Sequence, residues 1–276
     1  MKWRWKSMGR KSFALPYIVW MVGFTIIPLA MIVFYGLTDR TGAFTLNNVA
    51  QIMTAEHAQA LWLSIGLSVV STLICLLLAY PLAMVLKGIS HSQNSLIVFI
   101  FILPMWMNSL LRTMAWQTIL SNQGVLNAIL GFLGLPAVRI INTAGAIVFG
   151  MVYDFLPFMV LPIYNVLIKI GQDKVDAARD LGANGVQTFF RVIFPMSMPG
   201  VVSGVTMVFV PSMTTFVISN LLGGGKILLI GNVIEQAFTS GSNWRLGSGL
   251  SLVLMVFIFI SMAVLAKYDP EGSNVI

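Results

Sequence analysis

The feature that most constrains this chain is a set of long stretches without any charged side chain. Five such stretches, each longer than twenty residues, cover 12–38, 58–86, 88–111, 192–225 and 246–266, and a sixth, 140–168, is interrupted only by Asp154. A helix that crosses a bilayer needs about 20 mostly apolar residues. Trimming the polar ends predicts six membrane-spanning helices, near 13–36, 61–86, 95–119, 143–168, 199–220 and 246–266.

The composition supports an all-α integral membrane protein and excludes a water-soluble one. Only 9% of the 276 residues are charged and 58% are apolar, whereas a soluble domain carries about a quarter charged residues. The net charge of +7 arises largely from five basic residues among the first eleven. A short basic tail before an apolar segment is typical of a membrane-surface anchor and does not indicate a nucleic-acid partner.

The positions of the basic residues predict which loops face the cytoplasm. With both termini inside, eleven Lys and Arg residues fall on the cytoplasmic side and four on the outer side. Because cytoplasmic loops carry an excess of Lys and Arg, we expect both termini to be cytoplasmic. The chain then comprises a basic tail over 1–12, a six-helix domain over 13–266 and a C-terminal tail over 267–276. The apolar connection over 120–142, rich in Gly and Asn, is expected to lie on the surface or to re-enter the membrane.

Residues that could carry enzyme chemistry are few and scattered, which predicts that the chain is not an enzyme. Cys75 is the single cysteine, and His57 and His91 are isolated and too few for a metal site. The run Gly-Gly-Gly-Lys at 223–226 resembles the end of a phosphate-binding loop, but Ile227 stands where that loop needs Ser or Thr. We therefore expect no catalytic residue, no metal and no cofactor on this chain.

One predicted cytoplasmic loop, 169–199, is far more polar than the rest of the chain. Apolar residues recur at three-residue steps between Asp173 and Leu181. This spacing predicts a short helix that carries Val175, Ala178 and Leu181 along one side.

The residues that follow predict a turn and a second short helix. Gly182 is a natural helix stop, and Asn-Gly at 184–185 is a turn signal. We expect Pro195 and Pro199 to break the apolar segment that comes next. By composition alone, an ordinary inter-helix loop explains these features equally well.

The residues of this loop also follow a known pattern. Asp176-Ala177-Ala178 is followed after three residues by Gly182, and after nine more by Val192-Ile193-Phe194-Pro195. This run resembles the signature of bacterial ABC-importer permeases, in which Glu-Ala-Ala, three residues, Gly and nine residues precede Ile-x-Leu-Pro. The spacing matches throughout, and the departures at 176, 192 and 194 preserve the chemical character of the family's residues.

The resemblance implies a type I ABC importer permease fold, in which this segment is the coupling helix. In the family that helix docks in a cleft of the ATPase subunit, which implies contacts through Asp176, Ala177, Ala178, Leu181, Gly182 and Pro195. The resemblance also implies the partners: a pair of ATPase subunits that bind ATP and Mg, a second homologous permease, and an extracytoplasmic binding protein.

Three further segments, 104–112, 153–159 and 228–232, are similar to the permeases of spermidine/putrescine importers, and especially to the first (B-type) of the two permeases in such a system. This resemblance covers nearly the whole chain. It implies a multi-pass permease of the bacterial cytoplasmic membrane that moves polyamines. An ABC permease for another small solute stays open as an alternative, as does a stand-alone secondary transporter. The lack of clustered catalytic residues disfavours a membrane-embedded enzyme.

Two charged residues lie within predicted spans. At about 1.5 Å per residue, Asp154 lies roughly 17 Å into the fourth span, near the midplane, where an acid is costly and often functional. Two hypotheses follow: Asp154 is a transient countercharge for a polycationic solute, or it pairs with a Ser, Tyr or Arg of a neighbouring helix. Arg112, roughly 26 Å into the third span, is expected at the outer edge, where it snorkels or contacts a docked binding protein.

Aromatic and amide side chains complete the predicted solute path. Trp106, Tyr153 and Phe216 offer aromatic faces to ammonium groups, with packing or lipid exposure as the alternative for each. Trp106 lies beside Pro104 and Asn108, and a broken, polar stretch of this kind is typical of helices that line a path. Asn108 is therefore included in the predicted path.

Overall fold

The computed structural model describes residues 16–88, 103–241 and 243–267, and it consists of helices joined by short connections. A single helical turn at 103–106 precedes the fourth of the named helices. These helices are, in chain order, α1 (Pro16–Gly36), α2 (Asn47–Ala50), α3 (Ala55–Gly88), α4 (Ser109–Leu120), α5 (Val125–Phe132), α6 (Ala144–Leu167), α7 (Gln172–Asp180), α8 (Gly185–Thr214), α9 (Val217–Leu222), α10 (Ile230–Thr239) and α11 (Trp244–Ala266).

Within the described ranges, five helices are long and apolar enough to cross a membrane, namely α1, α3, α6, α8 and α11. They confirm the prediction of an all-α membrane protein. The third predicted span, 95–119, lies outside the described residues up to 102, and its described part is interrupted between 106 and 109. The count of six spans therefore stays a prediction. The same holds for the cytoplasmic termini and for the tails over 1–12 and 267–276.

Most of the predicted helix boundaries agree with the structure. The spans predicted over 143–168 and 246–266 match α6 and α11 to within two residues at each end. Helix α3 begins six residues earlier than predicted, because its first turn accommodates Glu56, and an acidic residue is favourable at a helix N-terminus. The connection over 120–142 contains α5, followed by an extended stretch.

The predicted break at Pro195 and Pro199 is wrong, because α8 runs without interruption from Gly185 to Thr214. A π-helical turn, Phe189–Ile193, comes just before Pro195, and the amide of Phe194 donates to the carbonyl of Phe189, five residues back. Such a widened turn takes up the irregularity that a proline introduces into a helix. The helices predicted as the second cytoplasmic helix and the fifth span are therefore one helix, which ends six residues before the predicted boundary at 220.

The chain divides into two compact units. The smaller one takes the described residues up to His57 together with Ile234–Val256, and the larger takes Ala58–Val233 with the described residues from Phe257 onward. In the larger unit, α6 packs along α8. Its core is formed by residues of α3, α6 and α8 that are inaccessible to solvent, among them Cys75, Ala79, Ala83, Met159, Ile163, Leu167 and Val208.

Two glycines allow α8 to approach α6 closely. A Cβ atom added to Gly200 would lie 2.7 Å from the carbonyl oxygen of Pro162 and 3.1 Å from the Cα atom of Ile163. One added to Gly204 would lie 2.7 Å from the sulfur of Met159. The spacing Gly-x-x-x-Gly therefore forms a packing surface between the two helices, as small residues commonly do in membranes.

In the smaller unit, one amide side chain holds the end of α1. The Nδ2 atom of Asn48 donates to the carbonyls of Tyr35 and Gly36, at 3.3 Å each, and to that of Thr38, at 3.0 Å. Carbonyls at the C-terminus of a helix have no partner within the helix, so Asn48 supplies one. Gly249 of α11 lies against the backbone of Asn48, where an added Cβ would approach to 2.5 Å.

We predict that Gly200→Val destabilises the protein while Gly66→Val does not. At Gly200 the added atoms meet backbone of α6, whereas a Cβ at Gly66 of α3 meets nothing within 4 Å. Overpacking typically costs about 1–3 kcal/mol, which corresponds to a decrease in Tm of about 2–10 °C for a chain of this size. Thermal unfolding of the purified chain in detergent measures the difference. Equal Tm values for the two variants would contradict the close packing of α6 on α8.

Candidate functional site

A buried ion pair joins α4 to α6. The Nε atom of Arg112 lies 2.7 Å from Oδ1 of Asp154, and both side chains are buried, with exposed fractions of 7% and 5%. The hydroxyl of Thr113 donates to the other carboxylate oxygen of Asp154 at 3.5 Å. Because a buried charge without a partner is strongly destabilising, each member of this pair depends on the other.

Arg112 also stabilises the interruption that precedes α4. Its guanidinium donates to the carbonyl of Pro104, in the turn at 103–106. On the other side of the interruption, the side-chain oxygen of Asn108 accepts from the amides of Leu110 and Leu111, at 2.9 and 3.3 Å. Asn108 is thus the N-cap of α4, a position at which Asn is strongly preferred. Asn108 therefore lies at the interruption before α4, within the span that the sequence predicted as continuous over 95–119.

Aromatic rings surround the ion pair on the side of α6. The guanidinium carbon of Arg112 lies 5.6 Å from the ring centroid of Tyr153. Trp116 of α4 packs edge-on against Tyr153 and Phe149, with centroid distances of 5.1 and 4.7 Å. Tyr153 remains 39% exposed, so its ring connects the buried pair with the surface of the protein.

The ion pair decides between the two hypotheses for Asp154 and corrects the predicted placement of Arg112 relative to it. Of the two hypotheses for Asp154, the structure contains the pairing with an Arg of a neighbouring helix. The predicted separation in depth between the two residues, with Arg112 at the outer edge and Asp154 at the midplane, is wrong because their side chains touch. The depth count assumed an unbroken helix from residue 95, whereas α4 begins only at Ser109.

The other residues of the predicted path do not all join this cluster. Trp106 lies in the turn before the interruption and is 77% exposed. Phe216 lies in the connection between α8 and α9, is 40% exposed, and belongs to a different polar cluster. Helix α9 packs against both α4 and α6, so these clusters occupy adjoining elements of the larger unit.

The second polar cluster centres on Asn232, to which the sequence analysis assigned no role. Its side chain is fully buried, and its Nδ2 atom donates to the carbonyl of Phe216 at 3.1 Å and to the side chain of Asn220 at 2.7 Å. Its oxygen accepts from the amide of Leu229 at 3.0 Å and from the hydroxyl of Ser219. All four hydrogen-bonding positions of this amide are therefore filled.

Asn232 holds together the break between α8 and α9 and the start of α10. Nearby, the hydroxyl of Ser64 on α3 accepts from the amide of Ile230 at 2.8 Å. The sequence offered one signal for this cluster, since Asn232 ends the segment 228–232 that resembles the family. An asparagine between apolar residues does not reveal its partners, which lie on α9 and in the connections before α9 and α10.

The predicted coupling segment folds as a helix, a glycine turn and a second helix. Helix α7 ends at Asp180, and Gly182 has a left-handed backbone, with φ +83°. The amide of Gly182 donates to the carbonyl of Arg179 at 2.8 Å, and that of Ala183 to the carbonyl of Ala178 at 3.0 Å. These two bonds form a Schellman motif, in which glycine is favoured. The predicted helix stop at Gly182 is confirmed.

The surface of α7 differs from the prediction in one respect. Val175 is buried, but Leu181 is 89% exposed, so Val175, Ala178 and Leu181 do not share one buried side. Leu181 is the C-cap residue and lies beyond the last regular turn. Asp176 is exposed, and its Oδ1 atom lies 3.1 Å from Nε2 of Gln172 and 3.7 Å from a guanidinium nitrogen of Arg179.

The segment is attached to the rest of the larger unit at both ends. Before α7, the ammonium group of Lys87 on α3 donates to the carbonyl of Ile170 at 3.1 Å. After the glycine turn, Asn184 and Gln187 form a reciprocal capping box at the start of α8. Pro195, also predicted to contact the ATPase, lies exposed in α8 just beyond the π-helical turn.

The structure offers no metal site in the ranges that it describes. Over 16–88, 103–241 and 243–267, no three His, Cys, Asp or Glu side chains lie close enough together to hold a metal ion. The ion pair and the Asn232 cluster are thus polar centres whose groups bind one another. In the structure both clusters position helices and helix ends.

Comparison with known proteins identifies clear relatives, although no family model matches the chain. The spermidine/putrescine transport system permease protein PotB of Haemophilus influenzae is 39% identical over 254 residues, which cover 89% of this chain and 88% of the relative. PotB of Escherichia coli K12 is 38% identical over 253 residues, which cover 89% and 92%. A PotB homolog of Mycoplasma genitalium is 29% identical over 240 residues, which cover 83% and 79%.

Solved structures agree with these relatives in fold. A chain of a bacterial alginate ABC transporter, in complex with an alginate pentasaccharide-bound periplasmic protein, superposes with a TM-score of 0.79 at 16% identity and covers 98% of both chains. A second structure, of an ABC transporter involved in alginate import, gives a TM-score of 0.78. At this identity the similarity concerns the fold alone, which is that of an ABC importer permease. Together with the identity to PotB over most of both chains, it shows that this chain belongs to the PotB family of transport-system permeases.

Proposed function

We propose that this chain is one of two permeases of an ATP-driven importer in the bacterial cytoplasmic membrane, and that spermidine or putrescine passes along it. The observation that carries the proposal is the identity of 38–39% over 89% of the chain with permeases named for spermidine/putrescine transport. In this proposal a pair of ATPase subunits binds ATP and Mg. A second permease completes the path, and an extracytoplasmic binding protein delivers the solute.

The proposed coupling begins at α7, which presents small side chains on an exposed surface. Ala177 is exposed and Ala178 is half-buried, while Val175 attaches the helix to the protein. Small side chains allow the backbone of another protein to approach closely. The carboxylate of Asp176 is accessible to a donor on the ATPase, since its contacts within α7 are also exposed. Helix α7 therefore offers the ATPase a rigid, partly acidic contact surface.

Helix α8 is the element that transmits this movement into the membrane. It begins three residues after Gly182 and continues for 30 residues to Thr214, a length of about 45 Å. Its far end is the break at Phe216, whose carbonyl is held by Asn232. A displacement of α7 thus reaches the polar break as a rigid-body movement of one helix. Its packing along α6 carries the same movement to Asp154 and Tyr153.

The proposed solute path runs beside the ion pair. In this conformation Arg112 neutralises Asp154, so a polycation approaching the exposed ring of Tyr153 competes with Arg112 for the carboxylate. Aromatic faces bind ammonium groups with about 0.5–2 kcal/mol each, which is weak enough for release. When the solute binds, the ion pair between Asp154 and Arg112 breaks. Further members of the proposed path are Trp106, Asn108 and Phe216.

We predict that Asp154→Asn lowers polyamine uptake, because the substitution preserves shape, removes the countercharge and leaves Arg112 buried without a partner. Breaking a buried pair costs about 3–5 kcal/mol, so the Tm of the variant is also expected to fall. A double variant, Arg112→Leu with Asp154→Leu, separates the two effects, since apolar replacement of a buried pair is often neutral for stability. A double variant with normal Tm and normal uptake of labelled spermidine would show that the pair is purely structural.

We predict that Gly182→Val abolishes uptake while Gly182→Asn largely preserves it. The left-handed backbone at residue 182 costs an L-residue about 1–2 kcal/mol, and Asn adopts it more readily than a β-branched residue. Space is not the obstacle, because an added Cβ meets nothing within 4 Å. Uptake is measured in cells with membrane insertion verified by immunoblot. Wild-type uptake by the Val variant would remove the coupling role from this turn.

We predict that the double variant Ala177→Arg with Ala178→Arg dissociates the ATPase. Long cationic side chains overpack a close contact and bring unpaired charges into it. The matched control is Ala177→Ser with Ala178→Ser, in which both side chains stay small. Co-purification of the ATPase, spermidine-stimulated ATP hydrolysis and uptake are measured on the same cells. Retained uptake after loss of the ATPase would contradict the ABC assignment and favour a secondary transporter.

A further inference from the structure

A pocket with basic and aromatic walls opens in the smaller unit, where α1 ends and α11 begins. Its volume is about 510 Å³, and its walls include Tyr35, Arg40, Asn243, Trp244 and Arg245. Both guanidinium groups come from positions at or beyond the ends of spanning helices, since α1 ends at Gly36 and α11 begins at Trp244. Trp and Tyr are enriched at this level of membrane proteins, at the boundary between lipid and water.

A narrower cleft continues from this pocket along α1. It has a volume of about 190 Å³ and shares Met31, Tyr35 and Trp244 with the pocket. Its accessible lining is entirely apolar, and Pro28 and Ile32 are its further members on α1. Residues at these spacings lie on one face of a helix. The two spaces therefore form one groove, which is basic at its outer end and apolar along its length.

The basic end carries a surplus of positive charge. Among the described residues, neither Arg40 nor Arg245 takes part in a salt bridge, and the Nε atom of Arg245 is buried without a hydrogen-bond partner. The guanidinium of Arg245 lies 5.9 Å from the centroid of the Tyr35 ring, which orients it without neutralising it. The outer end of the groove thus presents two cations that are available to an anion.

The acidic residue nearest to these cations is engaged elsewhere. The Oδ1 atom of Asp39 accepts from the hydroxyl and amide of Thr41, at 2.6 and 2.8 Å, and from the amide of Ala43 at 3.0 Å. These bonds, with that from the Thr41 hydroxyl the strongest, hold the pKa of Asp39 below its ordinary value, and the charge of Arg245 contributes as well. Asp39 is therefore ionised at neutral pH but bound to its own loop.

We propose that this groove binds an anionic phospholipid, with the phosphodiester headgroup at Arg40 and Arg245 and an acyl chain along α1 from Met31 to Pro28. The order of the groove matches the order of a lipid, in which a charged head at the surface precedes an apolar tail that points into the bilayer. A polyamine is excluded because it carries the same charge as the two guanidinium groups. An acidic side chain of a docked protein would satisfy the outer end and leave the apolar cleft unfilled.

The groove is also accessible from the bilayer. The most apolar window of α1 contains no residue buried inside the protein, so lipid reaches this face from the side. A bound lipid stabilises the junction between α1 and α11, where Asn48 already holds the end of α1. The headgroup is recognised by its phosphate charge, and selectivity is expected between anionic and zwitterionic lipids.

The test is native mass spectrometry of the full-length chain, co-purified with its partner subunits and supplied with phosphatidylglycerol and phosphatidylcholine that carry identical acyl chains. We expect preferential retention of phosphatidylglycerol. Each basic residue near an anionic headgroup contributes about a factor of five, so Arg40→Gln with Arg245→Gln weakens retention about twenty-five-fold. The matched control, Arg139→Gln with Lys226→Gln, removes two positive charges outside the groove and is expected to retain the lipid.

A charge-preserving variant and a deacylated competitor complete the experiment. Arg40→Lys with Arg245→Lys keeps both charges and is expected to retain phosphatidylglycerol, which separates charge loss from misfolding. Deacylated glycerophosphoglycerol is expected to compete poorly, because it lacks the tail that occupies the cleft. Equal retention of both lipids, equal loss in the control variant, or full competition by the deacylated headgroup would overturn the proposal. So would capture of a partner subunit, in place of lipid, by a photoreactive group at Met31. None of these readouts depends on solute transport.

Discussion

In a bilayer every backbone polar group needs a hydrogen-bond partner within the protein, and the other polar features of this chain depend on that constraint. Where α4 begins, Asn108 accepts from two amides, and Arg112 donates to the carbonyl of Pro104. Where α8 ends, Asn232 donates to the carbonyl of Phe216. At both of these interruptions, side chains hydrogen-bond to backbone groups that the interruption exposes. The proposed solute path uses these places because broken helices present polar groups that an unbroken helix does not.

Arg112, one of these hydrogen-bonding side chains, itself needs a countercharge. Arg112 brings a permanent positive charge into a buried position, and the cost of removing that charge from water is offset by Asp154 and by the ring of Tyr153. The break before α4 is thereby connected to α6, and α6 packs along the helix that leads from the coupling segment. In the proposed function the same residues serve stability and transport, since a polycation that attracts Asp154 would act on the packing of α4, α6 and α8.

Much of the fold was predictable from local patterns. The length of apolar sequence located α6 and α11, and the left-handed backbone at Gly182 follows from the way in which helices end. The errors have specific physical causes. Pro195 lies within a continuous helix because the turn before it is widened by one hydrogen bond, from the amide of Phe194 to the carbonyl of Phe189 five residues back. No residue type in the sequence predicts such a bond. The predicted separation in depth between Arg112 and Asp154 was wrong because counting from residue 95 assumed that the third span has no interruption.

The sequence by itself determined the class of the protein, the approximate spans, and the helix–turn–helix of the coupling segment, since these depend on hydrophobic length, periodicity and capping between residues close in the chain. Only the tertiary structure decided that Asp154 is paired, that Asn232 anchors a helix break, and that basic and apolar residues form one groove beside α1. Thr113 and Asp154 are 41 positions apart, and Ser64 and Ile230 are 166 apart. Such contacts depend on which helices become neighbours, and neighbours are chosen by close packing, as at Gly200 and Gly204, rather than by the pattern of any single helix.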